Sequence, residues 1–265
     1  MALVLVQDGA LQYYRAENIP VSHGFTTRLG GVSTGILSSM NIGTHRGDSR
    51  ENVLKNYEIL GASLGFDPHN AVLTHQTHTD IVKVVDGSHR GVGLFGPEFS
   101  DCDALITCTP GLALVVFTAD CTPILLWDSV TGAVGAVHAG WRGTAARIAE
   151  KTVKAMEVHF GSRPADIRAA IGPNIGTCCF ETDADVPQAL LQNVGQEAEP
   201  FLNPRGEKFY PDLKSVNALI LRQAGVENIR ISCQCTRCRE DLFWSHRRTG
   251  GDRGSQGAVI VCEEM

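Results

Sequence analysis

The chain has 265 residues, 43% hydrophobic and 20% charged, a composition that specifies a globular fold with a sizeable core rather than a disordered or fibrous chain. A formal net charge of −6 lacks the basic excess of a nucleic-acid binder, and no uninterrupted apolar run approaches the about 20 residues of a membrane span. The nine cysteines, odd in number and clustered, argue against a disulfide framework and for a reduced, cytoplasmic compartment.

The opening MALVLVQDGALQYY is apolar for only a few residues, with Asp8 close behind and no basic segment ahead. It reads as a first strand, not a signal peptide. Residues 1–25 divide into two short strands at Gly9 and at Asn18–Pro20. A Gly-rich stretch, Gly24–Gly35, follows. Its glycines permit close backbone approach to a ligand, and Thr26, Thr27 and Arg28 offer donors to an oxyanion. An ordinary hydrophilic loop is the alternative. No Gly-Lys-Ser/Thr follows, so this is not a nucleotide P-loop. Val53, Leu54, Tyr57, Leu60 and Leu64 recur at helical spacing, and Gly65 stands at the stop, so a helix is predicted over Glu51–Leu64. Strands return over Ala71–Val85, around Thr74-His75-Gln76-Thr77-His78-Thr79-Asp80. Two histidines three apart in an extended segment point to opposite faces, so at most one faces a common site. Residues 86–100 form a Gly-rich surface loop. Asp103, just before a strand, either caps a turn or orients a histidine through its carboxylate.

The stretch Leu112–Gly143 reads as three buried strands, Leu112–Phe117, Pro123–Trp127 and Ala133–His138. The last two are joined by the turn Asp128-Ser129-Val130-Thr131-Gly132. Folding back at that turn brings Cys121 and His138 to the open end of one hairpin, among Asp120, Trp141 and Arg142. A Cys and a His so placed can be nucleophile and base, two ligands of zinc or a similar metal, or a buried thiol beside a structural imidazole.

Thr144 is the expected N-cap of a helix carrying Ala145, Ile148, Ala149, Thr152, Met156 and Phe160 on one face, its positive end near the Cys/His pair. Ile167–Ile171 is a strand. Cys178 and Cys179, being adjacent, lack chelate spacing and read as buried or supporting thiols. Val186–Val194 is helical with Pro187 in its first turn. Residues 195–210 form a polar connection, Leu213–Ala224 a helix and Ile229–Ser232 a strand. Cys233-Gln234-Cys235-Thr236-Arg237-Cys238 has metal-like spacing but no second pair nearby in sequence. Phe243–Arg248 supplies stacking groups and two cations, and Gly257–Cys262 is a last strand. No repeat or linker divides residues 1–265, so one catalytic domain of α/β (α+β) class with mixed sheets is expected.

TADCTPILL and GAVHAGWRGT closely resemble the two central motifs of the YfiH/YlmD "laccase-domain", or polyphenol oxidase-like, purine nucleoside phosphorylase family. HGFTTRLGGVSTG with SSMNIGTHRGD, QTHTDIV, SDCDALIT, AAIGPNIGTCCFE and LFWSHRRTGGDRG resemble its other blocks, in order along essentially the whole chain. The resemblance implies a single-domain layered α-β-β-α sandwich. Its Gln-x-His motif selects His78 over His75. It implies that His78, Cys121 and His138 are catalytic and hold zinc, three protein ligands with an open fourth position being the catalytic form of zinc coordination. It places Arg28, Asn41, Gln76 and Arg247 on the substrate side, Arg28 and Arg247 toward phosphate and Asn41 toward ribose or base. Where the family usually has Gly-Arg-Gln, this chain has Gly254-Ser255-Gln256, with Arg253 displaced. The implied activity is zinc-dependent phosphorolysis of adenosine, inosine, guanosine or methylthioadenosine, with adenosine deamination as a second activity. The partners are then a purine nucleoside and phosphate, with neither nucleic acid nor membrane. A Cys-His hydrolase acting on an amide, such as a peptidoglycan-precursor editing factor, is the alternative from a different class. A copper polyphenol oxidase is a third, set against the lack of the repeated His-x-His pairs of a multicopper cluster.

Overall fold

The computed structural model describes residues 3–264. In chain order its elements are β1 (Val4–Asp8), β2 (Leu11–Arg15), β3 (His23–Thr26), α1 (Arg50–Leu64), β4 (Ala71–Leu73), β5 (Val82–Val84), β6 (Ala104–Thr107), β7 (Ala113–Thr118), β8 (Thr122–Asp128) and β9 (Val134–Ala139). They continue with α2 (Trp141–Ala145), α3 (Ile148–Phe160), β10 (Ile167–Ile171), α4 (Asp185–Val194), β11 (Pro204–Arg205), β12 (Lys208–Phe209), α5 (Leu213–Gln223), β13 (Asn228–Ile231), α6 (His246–Thr249) and β14 (Gln256–Val261).

Two six-stranded sheets carry the fold, in the orders β1-β2-β3-β14-β7-β4 and β13-β10-β8-β9-β6-β5. Both are mixed: β4 runs parallel to β7, β5 to β6 and β13 to β10, and the other pairings are antiparallel. Strand alternation explains how the sheets stack. On β7, Leu114 and Val116 join Ala258 and Ile260 of β14 in a core shared with Leu125, Trp127, Val134 and Ala136 of the second sheet. Ala113 and Val115 face the other way and pack on Val53, Tyr57, Leu60 and Leu64 of α1. On the outer face of the second sheet, Ile124, Leu126, Val137 and Ala169 pack against α3, α4 and α5. A strand buried on both faces is apolar along its middle, and β7, β8 and β9 are, their polar residues Thr118, Thr122, Asp128 and His138 standing at or next to strand ends. The layers are therefore helix, sheet, sheet, helix, the α-β-β-α sandwich expected from the sequence.

Local signals account for most boundaries. Ser49 caps α1 by accepting the Asn52 N–H, and Gly65 ends it in the left-handed conformation at φ 71°. Two expectations change. The helix predicted from Thr144 is two helices. The first begins at Trp141 with Gly140 as its cap, so Thr144 lies inside it, and Arg147 at φ 59° breaks the path before α3. The Thr144 hydroxyl accepts from Asn217 Nδ2 (2.9 Å) on α5 instead of capping. The polar connection 195–210 contains a 3₁₀ turn, Gln196–Phe201, and the two-residue hairpin β11–β12.

Candidate metal centre and active site

The β8–β9 hairpin pairs Pro123 with His138 and Thr122 with Ala139. Cys121 is thus the first residue beyond the ladder, opposite Gly140. A Cβ placed on Gly140 would lie 2.6 Å from His78 Nδ1 and 3.3 Å from Cys121 Sγ, so only glycine leaves room there. The ligand-capable atoms of His78, Cys121 and His138 all lie within 4.8 Å of one another, and the two imidazoles meet edge to face with centroids 5.0 Å apart. His75 and His78 both border the cavity, because the segment is not extended: His78 takes φ 63°. His75 Nδ1 is engaged by the Ser100 carbonyl, which leaves His78 to join the cluster.

Asp103 organises this corner. It is fully buried, and its Oδ1 accepts from His138 Nδ1 (2.7 Å) and the His78 N–H (3.2 Å). Its Oδ2 accepts from the Thr77 N–H (3.3 Å), the Thr79 N–H (2.7 Å) and Thr79 Oγ1 (2.7 Å). The carboxylate therefore holds the loop that carries His78 and fixes His138 with its proton on Nδ1, turning Nε2 toward the cluster. Burial works against the Asp103 charge, but the bonds from His138 and Thr79 outweigh it and hold the carboxyl below its ordinary range. Burial likewise opposes a charged His138, yet Cys121 and Asp103 together raise it to about 9. Desolvation, then the neighbouring His138, lowers His78. Two nitrogens and a sulfur converging beside a cavity, with the second nitrogen of one imidazole tied to a carboxylate, fit a zinc or copper ion with an open position.

A cavity of about 260 Å³ opens on this cluster, bordered by Arg46, Gln76, Glu98 and Arg253. A second of about 240 Å³ adjoins it across Cys121, bordered by Ile175, Phe180, His246 and Arg247. Asp120, in the break between β7 and β8 at φ 99°, ties the second wall together. It accepts from Thr236 Oγ1 (2.6 Å), Ser245 Oγ (3.0 Å) and the Arg247 N–H (2.7 Å).

The residues expected on the substrate side divide. Arg247 borders the second cavity, donates to the carbonyls of Cys179 (3.3 Å) and Glu181 (3.0 Å), and stands over the Phe180 ring. Gln76 borders the first, but its amide is spent on both backbone groups of Phe117, at 2.6 and 2.8 Å. Asn41 does not reach either cavity. It is buried, bonding Asp48, Gly43 and the Ser255 N–H. Arg28 also lies elsewhere, stacked 3.9 Å over Trp244 and donating to the carbonyls of Ser38 and Glu240. The arginines that do face the first cavity are Arg46 and Arg253. Arg46 Nε donates to Oγ of Ser255 (3.2 Å), the residue that stands where an arginine was expected from the family pattern. Burial, then Arg46, pushes Arg253 down to about 10, so it remains a cation at neutral pH. Arg46 sits in the Gly-flanked THRGD run, the one sequence sign that marked it.

Residues 22–263 match the family described as "Multi-copper polyphenol oxidoreductase laccase". A purine nucleoside phosphorylase of Deinococcus radiodurans is 39% identical over 94% of this chain and 92% of its own. An adenosine deaminase, RL5, from an unknown prokaryotic organism is 36% identical over 90% of this chain and 93% of its own. The crystal structure of YlmD from Geobacillus stearothermophilus superposes with a TM-score of 0.92 at 36% identity, covering 99% of this chain and 100% of that one.

Proposed function

We propose that this chain, which belongs to the family described as multi-copper polyphenol oxidoreductase laccase, is a cytoplasmic, zinc-dependent purine nucleoside phosphorylase that also deaminates adenosine. The observation that carries the reading is the joining of a His-Cys-His cluster to a cavity with two arginines on its wall. Its relatives named as purine nucleoside phosphorylases and as an adenosine deaminase support it. The substrates are adenosine, inosine, guanosine and methylthioadenosine.

In phosphorolysis a phosphate oxygen bonds to the anomeric carbon while the bond to the purine nitrogen breaks and the base takes up a proton. Arg46 and Arg253 hold the phosphate, whose negative charge relieves the repulsion between them. Phe180, with Arg247 fixed over it, gives the base an apolar wall in the adjoining cavity. His78, Cys121 and His138 would hold the zinc, and Asp103 keeps the imidazole of His138 in its ligating tautomer. Bound there, the ion supplies the Lewis acidity on which both purine reactions draw.

The placement of Cys121 beside His138, whose other nitrogen is held by Asp103, favours one second reading, a cysteine hydrolase with His138 as base, and that reading needs no metal. Incubating the protein with adenosine and with inosine, with and without phosphate and after chelation, separates the two. Phosphate-dependent hypoxanthine and ribose 1-phosphate, and phosphate-independent inosine from adenosine, each lost on zinc removal, are expected. Turnover that survives complete metal removal would sink the zinc dependence, and inosine cleavage that needs no phosphate would sink the phosphorylase reading.

A further inference from the structure

A second sulfur cluster lies apart from the cavity. Cys178, Cys179, Cys235 and Cys238 bring their four Sγ atoms within 4.8 Å of one another. In the sequence these residues belong to two motifs about sixty positions apart, neither sufficient alone. The adjacent pair Cys178-Cys179 lacks chelate spacing, and Cys235-x-x-Cys238 lacks a partner. The fold supplies each with the other.

The backbone is arranged for that convergence. Asn174 and Cys235 form a bridge between the two segments, and the Thr236 N–H donates to the Asn174 carbonyl (2.9 Å). On one side, Cys179 and Phe180 both donate to the Gly176 carbonyl, curling the 176–180 turn under Cys178. On the other, the Arg239 N–H closes a turn onto the Cys235 carbonyl (3.1 Å). Gly176 permits the close approach: a Cβ there would lie 3.3 Å from Cys235 Cβ and 3.4 Å from Cys178 Sγ. Its N–H donates to Cys235 Sγ (3.2 Å), the kind of bond that steadies a thiolate.

We propose that these four cysteines form a closed, tetrahedral thiolate site for zinc, distinct from the His78/Cys121/His138 centre. The distances fit. Zinc–sulfur bonds of about 2.3 Å give a tetrahedron with edges of about 3.8 Å, and Cys238 Sγ lies 3.4 Å from the sulfurs of both Cys178 and Cys179. A disulfide does not account for the arrangement. Its sulfurs lie about 2.0 Å apart and pair two by two, whereas here all four cysteines are free and one sulfur sits equally near two others. Four thiolates around a divalent ion leave a net charge of −2, and Lys214, Arg237 and Arg247 stand on the same segments or against them to offset it. With every ligand supplied by protein, the site has no open position and is structural. Its effect is mechanical. It staples the 174–181 segment, which carries Ile175 and Phe180, to the turn that leads into Ser245–Arg248. Both segments wall the second cavity. The inference stands on sulfur geometry and not on the nucleoside reading.

The test counts metal. Wild-type protein purified without chelator is expected to carry about two zinc per chain, and Cys178→Ser/Cys238→Ser about one. In a Cys121→Ala/His138→Ala background, which removes ligands of the first site, cobalt substitution should give the intense sulfur-to-cobalt charge-transfer absorption of a tetrathiolate site. Adding the two serine substitutions should abolish it. Three results would overturn the proposal: equal zinc content in wild type and Cys178→Ser/Cys238→Ser, a cobalt spectrum that ignores these cysteines, or a Cys178–Cys238 or Cys179–Cys238 disulfide by non-reducing peptide mass spectrometry. Should the double background variant fail to fold, protection of the four thiols from alkylation in zinc-loaded wild type, lost on chelation, reads the same site.

Discussion

Replacing Asp103 by Asn tests how the metal corner is held. The substitution preserves shape and removes one acceptor oxygen. If the new amide nitrogen takes the Oδ1 position, it confronts His138 Nδ1–H and the His78 N–H, two donors, and drives His138 to the other tautomer with its proton on the ligating nitrogen. If it takes the Oδ2 position, it leaves the N–H groups of Thr77 and Thr79 without an acceptor while the Thr79 hydroxyl reorients. The second arrangement is cheaper, since an unmet buried donor costs about 1–3 kcal/mol and the Thr77 bond is already long, giving a loss of about 2–4 kcal/mol. Loss of a carboxylate behind a metal-ligating histidine lowers metal affinity about 10–100-fold. The assay is urea unfolding of metal-free protein, with zinc affinity measured in competition with a chelator of known strength. Zinc affinity within twofold of wild type together with unchanged unfolding would refute the assignment of Asp103 as the organiser of this corner.

Gly140→Ala should weaken the first metal site while leaving the fold intact. The new methyl meets His78 Nδ1 and Cys121 Sγ, and one must move away; zinc affinity should fall at least tenfold, checked by the same competition. Arg46→Ala should raise KM for phosphate by about 10–100-fold, the value of one or two charge-assisted bonds, without changing deamination, which uses no phosphate. Equal losses in both reactions would show that Arg46 does not bind phosphate. His23 predicts acid sensitivity. It is buried, its Nδ1 bonds the Val21 carbonyl, its Nε2 accepts the Ala16 N–H, and burial, partly offset by the Val21 bond, lowers it to about 4. The folded state thus refuses a proton that the unfolded chain takes up below about 6.5, so stability is full above that pH and falls as pH drops toward 4. Between pH 6.5 and 5 the loss is about 2 kcal/mol, and it should be absent from His23→Gln in urea titrations at the two pH values.

Much of this protein was legible in one dimension. The apolar runs of β7, β8 and β9 are unambiguous because strands buried on both faces have no polar side, and Asp128–Gly132 set the turn that brings Cys121 opposite the end of β9. Gly65 marked the end of α1 because only a residue free of a Cβ takes the left-handed path cheaply, and Gly161 ends α3 in the same way. The order of motifs marked the family over the whole chain. What the sequence could not carry was convergence between distant segments. Arg28, in the loop expected to bind an anion, turns onto Trp244, while Arg46 and Arg253, more than two hundred positions apart, meet at the cavity. Asn41 has the amide of a substrate ligand but spends it inside the fold, donating to Asp48 and accepting the Ser255 N–H. Cys178-Cys179 and Cys235-x-x-Cys238 are each incomplete until the Asn174–Cys235 bridge aligns them. Local conformation follows from sterics and hydrogen bonding within a few residues, so neighbours in sequence determine it. A site is built from side chains aimed by different strands and loops, and only the packed sheets decide which of them share a cavity.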